Sequence, residues 1–148
     1  MFFSKKFKSF KNINHCFFSK NGGVSSGIYS SLNCGTGSDD KKENILKNLD
    51  IVSKKIGLNN KNLFIMNQTH SNKVIVINDT NKHIHRFSSD ALVTNKKDVT
   101  ISVLTADCVP VLIYDEVNEI IGSVHAGWRG ALSGIIENTL NEIIKINK

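Results

Sequence analysis

Three short segments of the 148-residue sequence carry the side chains best suited to chemistry: NQTH at 67–70, TADCVPVL at 105–112 and SVHAGWRG at 123–130. Each adjoins a run of apolar, β-branched residues that reads as a strand. Strand ends are where a rigid backbone leaves a side chain open to a ligand. The imidazoles of His70 and His125 and the thiol of Cys108 make a three-ligand set that suits zinc, with a fourth position left for water or substrate. Thiolate favours Zn2+ or Cu(I), and imidazole suits zinc and copper alike. Spacing alone does not bring the three together, so other readings stay open. Cys108 taken alone reads as a small buried hydrophobe, and a second enzymatic reading makes it a nucleophile with His125 as its base in a cysteine hydrolase. His15, His83 and His85 are not set apart by composition; the last two fall in a polar loop with Arg86 and read as solvated. Cys16 and Cys34 have no partner spacing and read as structural.

The last segment runs from an apolar strand through His125, Gly127 and Arg129 into a helical pattern. A helix N-terminus offers unpaired N–H groups, and Arg129 adds a fork of donors that fits phosphate or carboxylate. A plain strand–turn–helix connection with a surface arginine explains the same residues. Asp107, next to Cys108, is a candidate proton carrier or ligand-orienting group.

The elements that must position these residues follow from periodicity. Residues 14–18 read as a short strand, 20–25 as a turn rich in Asn-Gly and Gly-Gly signals, and 27–37 as loop. Residues 40–57 predict an amphipathic helix: Asp40 as cap with Glu43 three places on, Ile45, Leu49, Val52 and Ile56 as the buried stripe, and Gly57 as the stop. Strands are predicted over 63–67, 73–78, 91–94, 99–104, 109–115 and 119–125. The last three are dense in Val and Ile and read as buried on both faces. A continuous helix is predicted over 128–146, with Leu132, Ile135, Ile136, Leu140, Ile143 and Ile144 as its apolar face. The fold class is α/β, and the length suits a single domain over 1–148.

Hydrophobic residues make up 40% and charged residues 22%, the proportions of an ordinary soluble domain. The net charge is +6, but only Arg86 and Arg129 are arginines, the lysines are spread along the chain, and no RNA- or DNA-binding motif accompanies them. No nucleic-acid partner is therefore expected. The three cysteines form no CxxC pair, which points to a reducing cytoplasm. The basic, aromatic start MFFSKKFKSFK lacks a signal-peptide pattern, and no run reaches the ~18 apolar residues of a membrane span, so no membrane partner is expected.

The phrases FFSKNGGVSSGIYSSLN, NQTHSNKV, DALVTN, ISVLTADCVPVLIYD and IGSVHAGWRGALSG resemble, in order and spacing, the laccase-like polyphenol oxidoreductase family described as purine nucleoside phosphorylases. The resemblance runs from about residue 15 to the C-terminus. It implies that His70, Cys108 and His125 ligate one Zn2+ or Cu2+ ion. It implies phosphorolysis of adenosine, inosine and S-methyl-5'-thioadenosine, together with adenosine deamination, in a layered α/β/β/α sandwich. The substrates it implies are purine nucleosides and phosphate, with Arg129 the candidate phosphate contact. Lys20 stands where the family has arginine in the FFTRxGGVS turn; it keeps the charge and loses the bidentate fork. The family's later Gly-Pro and Cys-Tyr-Glu-Val segments are absent. The alternatives this raises are an inactive metal-binding fragment, or half of a split enzyme completed by a second chain.

Overall fold

The structure, a computed structural model, describes residues 1–57, 62–79, 81–82 and 86–147. His83 and His85, expected to be solvated, fall outside them. Two units are distinguished, Met1–Lys61 and Asn62–Lys148, and each is taken by itself.

The first unit holds a short helix α1 (Lys5–Lys8), a 3-10 turn at Gly27–Tyr29 and helix α2 (Lys42–Ile56). The strand expected over 14–18 is not formed. Phe17 makes one isolated antiparallel bridge to Phe2, and among the described residues no longer partner strand extends it. His15 is occupied here: its Nε2 accepts the Ser4 N–H at 2.8 Å, and Phe3 and Phe7 pack edge-on to its ring.

Gly57 ends α2 as expected, at φ 86°, a left-handed conformation that glycine adopts without a Cβ clash. The start differs from expectation. Lys41 is the N-cap and no side chain caps the helix. The Asp40 carboxylate instead accepts from Ser25 Oγ at 2.6 Å and from Asn33 Nδ2 at 3.1 Å, so it ties down the preceding loop. Glu43 pairs with Lys47 one turn on. The buried residues of α2 are Ile45, Asn48, Val52 and Ser53. The stripe is thus partly polar, and Asn48 is its centre. Asn48 Oδ1 accepts from Val24 N, and its Nδ2 lies within hydrogen-bond distance of Ser25 Oγ, Ser31 O and Asn33 O. Gly23 is required by the closeness of this packing: a Cβ there would lie 2.2 Å from Ser31 O and 2.5 Å from Asn48 Oδ1.

The second unit contains strands β1 (Leu63–Asn67), β2 (Val74–Val76), β3 (Arg86–Ser88), β4 (Ala91–Thr94), β5 (Thr100–Ser102), β6 (Val109–Asp115) and β7 (Ile120–Ala126), followed by helices α3 (Trp128–Leu132) and α4 (Ile135–Ile146). One sheet, ordered β3-β1-β5, is parallel throughout. The other, ordered β2-β4-β7-β6, pairs β2 with β4 in parallel and the remaining neighbours antiparallel. Side chains alternate across β4. Leu92 joins Phe64, Met66, Ile77 and Ile101 between the sheets, whereas Ala91 and Val93 face the α4 side with Val124, Ile135 and Ile143. The result is an α/β fold in which helix, mixed sheet and parallel sheet are stacked. Each fully buried Leu or Ile contributes about 1.5–3 kcal/mol, so this double-sided core holds the strand ends rigid.

Two expectations need correction here. Strands β5 and β6 are not buried on both faces; each lies at a sheet edge and is largely half-buried, and β6 leaves Val109 59% exposed. The helix expected over 128–146 is broken at Ser133–Gly134. Gly134 adopts φ 86°, and the Ser133 hydroxyl turns back to the Arg129 and Gly130 carbonyls. Only part of the expected apolar face is covered: Ile135 and Ile143 are buried, but Leu132, Leu140 and Ile144 are exposed.

Candidate metal centre

His125 lies near the end of β7, opposite Pro110 of β6, and is buried. Its N–H donates to the Asp90 carbonyl at 2.7 Å. Its Nδ1 lies 2.8 Å from Asp90 Oδ1. That contact assigns the Nδ1 proton to the carboxylate side and leaves Nε2 as the free ligand atom.

Asp90 directly precedes β4 and is fully buried. Besides His125 it accepts from the backbone N–H groups of Thr69, His70 and Ser71 and from the Thr69 and Ser71 hydroxyls, at 2.7–3.2 Å. Burial pushes its carboxyl pKa up, but the hydrogen bonds from His125, Ser71 and Thr69 outweigh that and hold it at about 2. The charge is thereby kept at neutral pH. The same bonds fix His70 at φ 57°, a left-handed conformation that costs a non-glycine residue about 1–3 kcal/mol when unsupported. One carboxylate therefore sets the ring of His125 and the backbone of His70.

Cys108 lies in the turn before β6, and its Sγ is 3.8 Å from His70 Nε2. Gln68 joins the two loops: its Nε2 donates to Leu104 O at 2.7 Å and its Oε1 accepts from Leu104 N at 2.8 Å. Asn72 and Asn138 fasten the far side of the His70 loop to the α3–α4 turn and α4.

The ligand atoms of His70, Cys108 and His125 all lie within 4.8 Å of one another. Tetrahedral zinc, with bonds of about 2.0–2.3 Å, separates its nitrogen and sulfur ligands by about 3.3–3.6 Å. The residues present fit such an ion after a contraction on the order of 1 Å. The carboxylate on the remote nitrogen of His125 is the second-layer support that ligating imidazoles usually have. Gly127 supplies the room. A Cβ there would lie 2.8 Å from His70 Cδ2 and 3.2 Å from Cys108 Sγ. Exposure grades from His125, buried, through Cys108 to His70, exposed, so the cluster has a protein-lined floor and an open side.

Burial raises the Cys108 thiol pKa, and the charge and hydrogen bond of Asp107 and the charge of Asp90 add to this. Asp107 is exposed. Arg129 is exposed in α3, with its guanidinium 5.1 Å from the centre of the Trp128 ring. Helix α3 has five residues, too few for much macrodipole, so anion attraction there falls to the arginine itself. Lys20, the other expected anion contact, belongs to the first unit, where its carbonyl accepts the Ser31 and Leu32 N–H groups.

Sequence reasoning passed over Asp90, Gln68 and Gly127. All three lie in phrases already singled out, DALVTN, NQTH and HAGWRG. The usable signal was an acid placed directly before the apolar run of a buried strand, where only a fully partnered carboxylate is tolerated.

Comparison with known proteins identifies relatives of the chain. Residues 14–147 match the model of the family described as multi-copper polyphenol oxidoreductase laccase. A Bacteroides thetaiotaomicron protein named purine nucleoside phosphorylase is 34% identical over 141 residues, which cover 89% of this chain and 52% of that protein. Among solved structures, a Neisseria meningitidis protein aligns with a TM-score of 0.74 at 39% identity, covering 83% of this chain and 49% of that one. The Bacillus licheniformis protein YfiH aligns with a TM-score of 0.80 at 27% identity, covering 86% and 51%. The chain thus spans about half the length of the relatives it matches.

Proposed function

The chain belongs to the multi-copper polyphenol oxidoreductase laccase family, and on that premise we propose that it forms the metal-binding half of a purine nucleoside phosphorylase that also deaminates adenosine. The observation that carries the reading is the convergence of His70, Cys108 and His125 around the space left by Gly127. These three residues would hold a single ion, Zn2+ in the first instance and Cu2+ as the alternative. When bound, the ion supplies Lewis acidity and makes water more acidic near neutral pH. Three protein ligands around one point suit one ion rather than a multi-copper cluster.

In phosphorolysis a phosphate oxygen bonds to C1′ of the ribose as the C1′–N bond breaks, and the purine leaves with that electron pair and gains a proton. Arg129 is the side chain here that binds and orients phosphate. Asp107 is the candidate carrier for the proton. Asp90 neither binds substrate nor moves a proton; it orients His125 and shapes the His70 loop. The substrates are adenosine, inosine and S-methyl-5'-thioadenosine with phosphate. Both units belong to one domain of this family, of which the chain spans about half the length found in the relatives it matches. The setting is a reducing cytoplasm, which suits the free thiols of Cys16, Cys34 and Cys108. Among the described residues no helix is long and apolar enough to cross a membrane.

The Asp90–His125 pair also gives His125 the orienting partner that the base of a cysteine hydrolase needs. That reading gives no role to His70, whose Nε2 lies 3.8 Å from Cys108 Sγ and which the metal reading uses as a ligand.

The test is to purify the chain, measure bound metals, and follow adenine and inosine separately after incubation with adenosine and phosphate. The wild type should carry one equivalent of metal and lose both metal and turnover on chelation, and His70→Ala should show neither. Turnover that persists in His70→Ala and is abolished by thiol alkylation would favour the hydrolase.

A further inference from the structure

Helix α4 is apolar over a wider arc than its seat on the sheet uses. Ile135, Thr139 and Ile143, at every fourth position, are buried on the sheet side. One position further round, Ile136, Leu140 and Ile144 repeat the spacing, with Leu140 44% and Ile144 53% exposed. The next row, Glu137, Asn141 and Lys145, is polar and exposed. Before the break at Ser133–Gly134, helix α3 also leaves apolar side chains open, with Leu132 84% exposed and Trp128 70% exposed. Single exposed apolar residues are ordinary, but a row repeating every four residues marks a surface meant to be covered.

We propose that the Ile136–Leu140–Ile144 row of α4, together with the exposed Trp128 and Leu132 of α3, is the seat for polypeptide equivalent to the part of the relatives that this chain does not match. The proposal rests on the reading of the chain as half of a nucleoside phosphorylase. The occupant follows from length. The chain covers 52% of the Bacteroides relative and 49% and 51% of the two solved chains, so those proteins contain about as much polypeptide again. A second copy of this chain would cover the row and still leave that remainder without a seat.

The experiment mixes the purified chain with a probe: the portion of the Bacteroides thetaiotaomicron relative outside its match to this chain, produced as a separate polypeptide. Sedimentation gives the stoichiometry, and bound metal is measured on the same samples. The expected result is a one-to-one complex, weakened at least tenfold by the combined changes Leu132→Asn, Leu140→Asn and Ile144→Asn. Glu137→Gln with Asn141→Asp on the polar row should bind as the wild type does. Because the three changed residues are exposed, the variant should keep the wild-type circular dichroism melt, which checks its folding. The proposal is overturned if the wild type does not bind the probe, if the triple variant binds it equally well, or if the row instead holds a homodimer. Metal content separates the two readings: capture of the probe by a chain that binds no metal sinks the metal-centre reading and leaves the docking surface standing.

Discussion

Two buried polar side chains, Asn48 in the first unit and Asp90 in the second, do similar work with different consequences. Each is fully buried and each gathers the backbone of a loop around itself. Asn48 is neutral, and all four of its hydrogen-bond partners lie within the GGVSSGIYSSLN loop. Asp90 is charged, and it divides its hydrogen bonds between the His70 loop and the ring of His125. A neutral hub only orders structure. A charged hub shared between a strand and a loop also couples the positions of two prospective metal ligands.

The largest expected effect follows from removing the charged hub. Asp90→Ala leaves three backbone N–H groups and His125 Nδ1 without their acceptor; at about 1–3 kcal/mol each when buried, the loss threatens the fold of the second unit in a urea melt. Asp90→Asn keeps the shape, and its expected signature is metal affinity lowered about 10–100-fold in a chelator competition. If Asn at this position binds metal as tightly as Asp, the coupling claim fails.

Asn48→Ala should remove about 1–3 kcal/mol of stability and leave metal stoichiometry unchanged. A variant that lost metal as well would erase the contrast between the hubs. Gly127→Ala should act in the opposite sense. Its φ of −68° suits alanine, so the fold should survive, while the added Cβ presses on His70 and Cys108 and costs about 1–3 kcal/mol of site geometry, read as weaker metal binding. Gln68→Ala is expected to be mildest, about 1 kcal/mol, since β1 and β5 already hold the two loops near each other. Its measurement is a modest fall in thermal midpoint with a small loss of metal affinity.

The same contrast shows what the sequence could and could not reveal. Strands β1, β4 and β6 were bounded correctly because turn residues flank their apolar runs. The strand expected over 14–18 had the right residue types, but a strand needs a partner, and among the described residues Phe17 finds one only in Phe2. The broken helix escaped because Ser133 and Gly134 interrupt a period that the apolar residues continue on either side. Its apolar arc was read as one buried face when the sheet covers only part of it. Asp40 resembled a cap but serves the loop before it, and Asn48 was passed over because helical spacing does not announce a buried amide. The three candidate ligands were marked by residue type and by the resemblance of their motifs. Cys108 and His70 are 38 residues apart, so their meeting belongs to sheet order, which local sequence does not encode. Asp90 was hidden for the same reason: it is 20 residues from His70 and 35 from His125.

X-ray absorption at the metal edge of the purified chain tests the central claim most directly. One sulfur at about 2.3 Å and two imidazole nitrogens at about 2.0–2.1 Å are predicted, with the sulfur contribution gone in Cys108→Ser. A chain that retains no metal, or a spectrum of oxygen and nitrogen donors unchanged by that substitution, would contradict it.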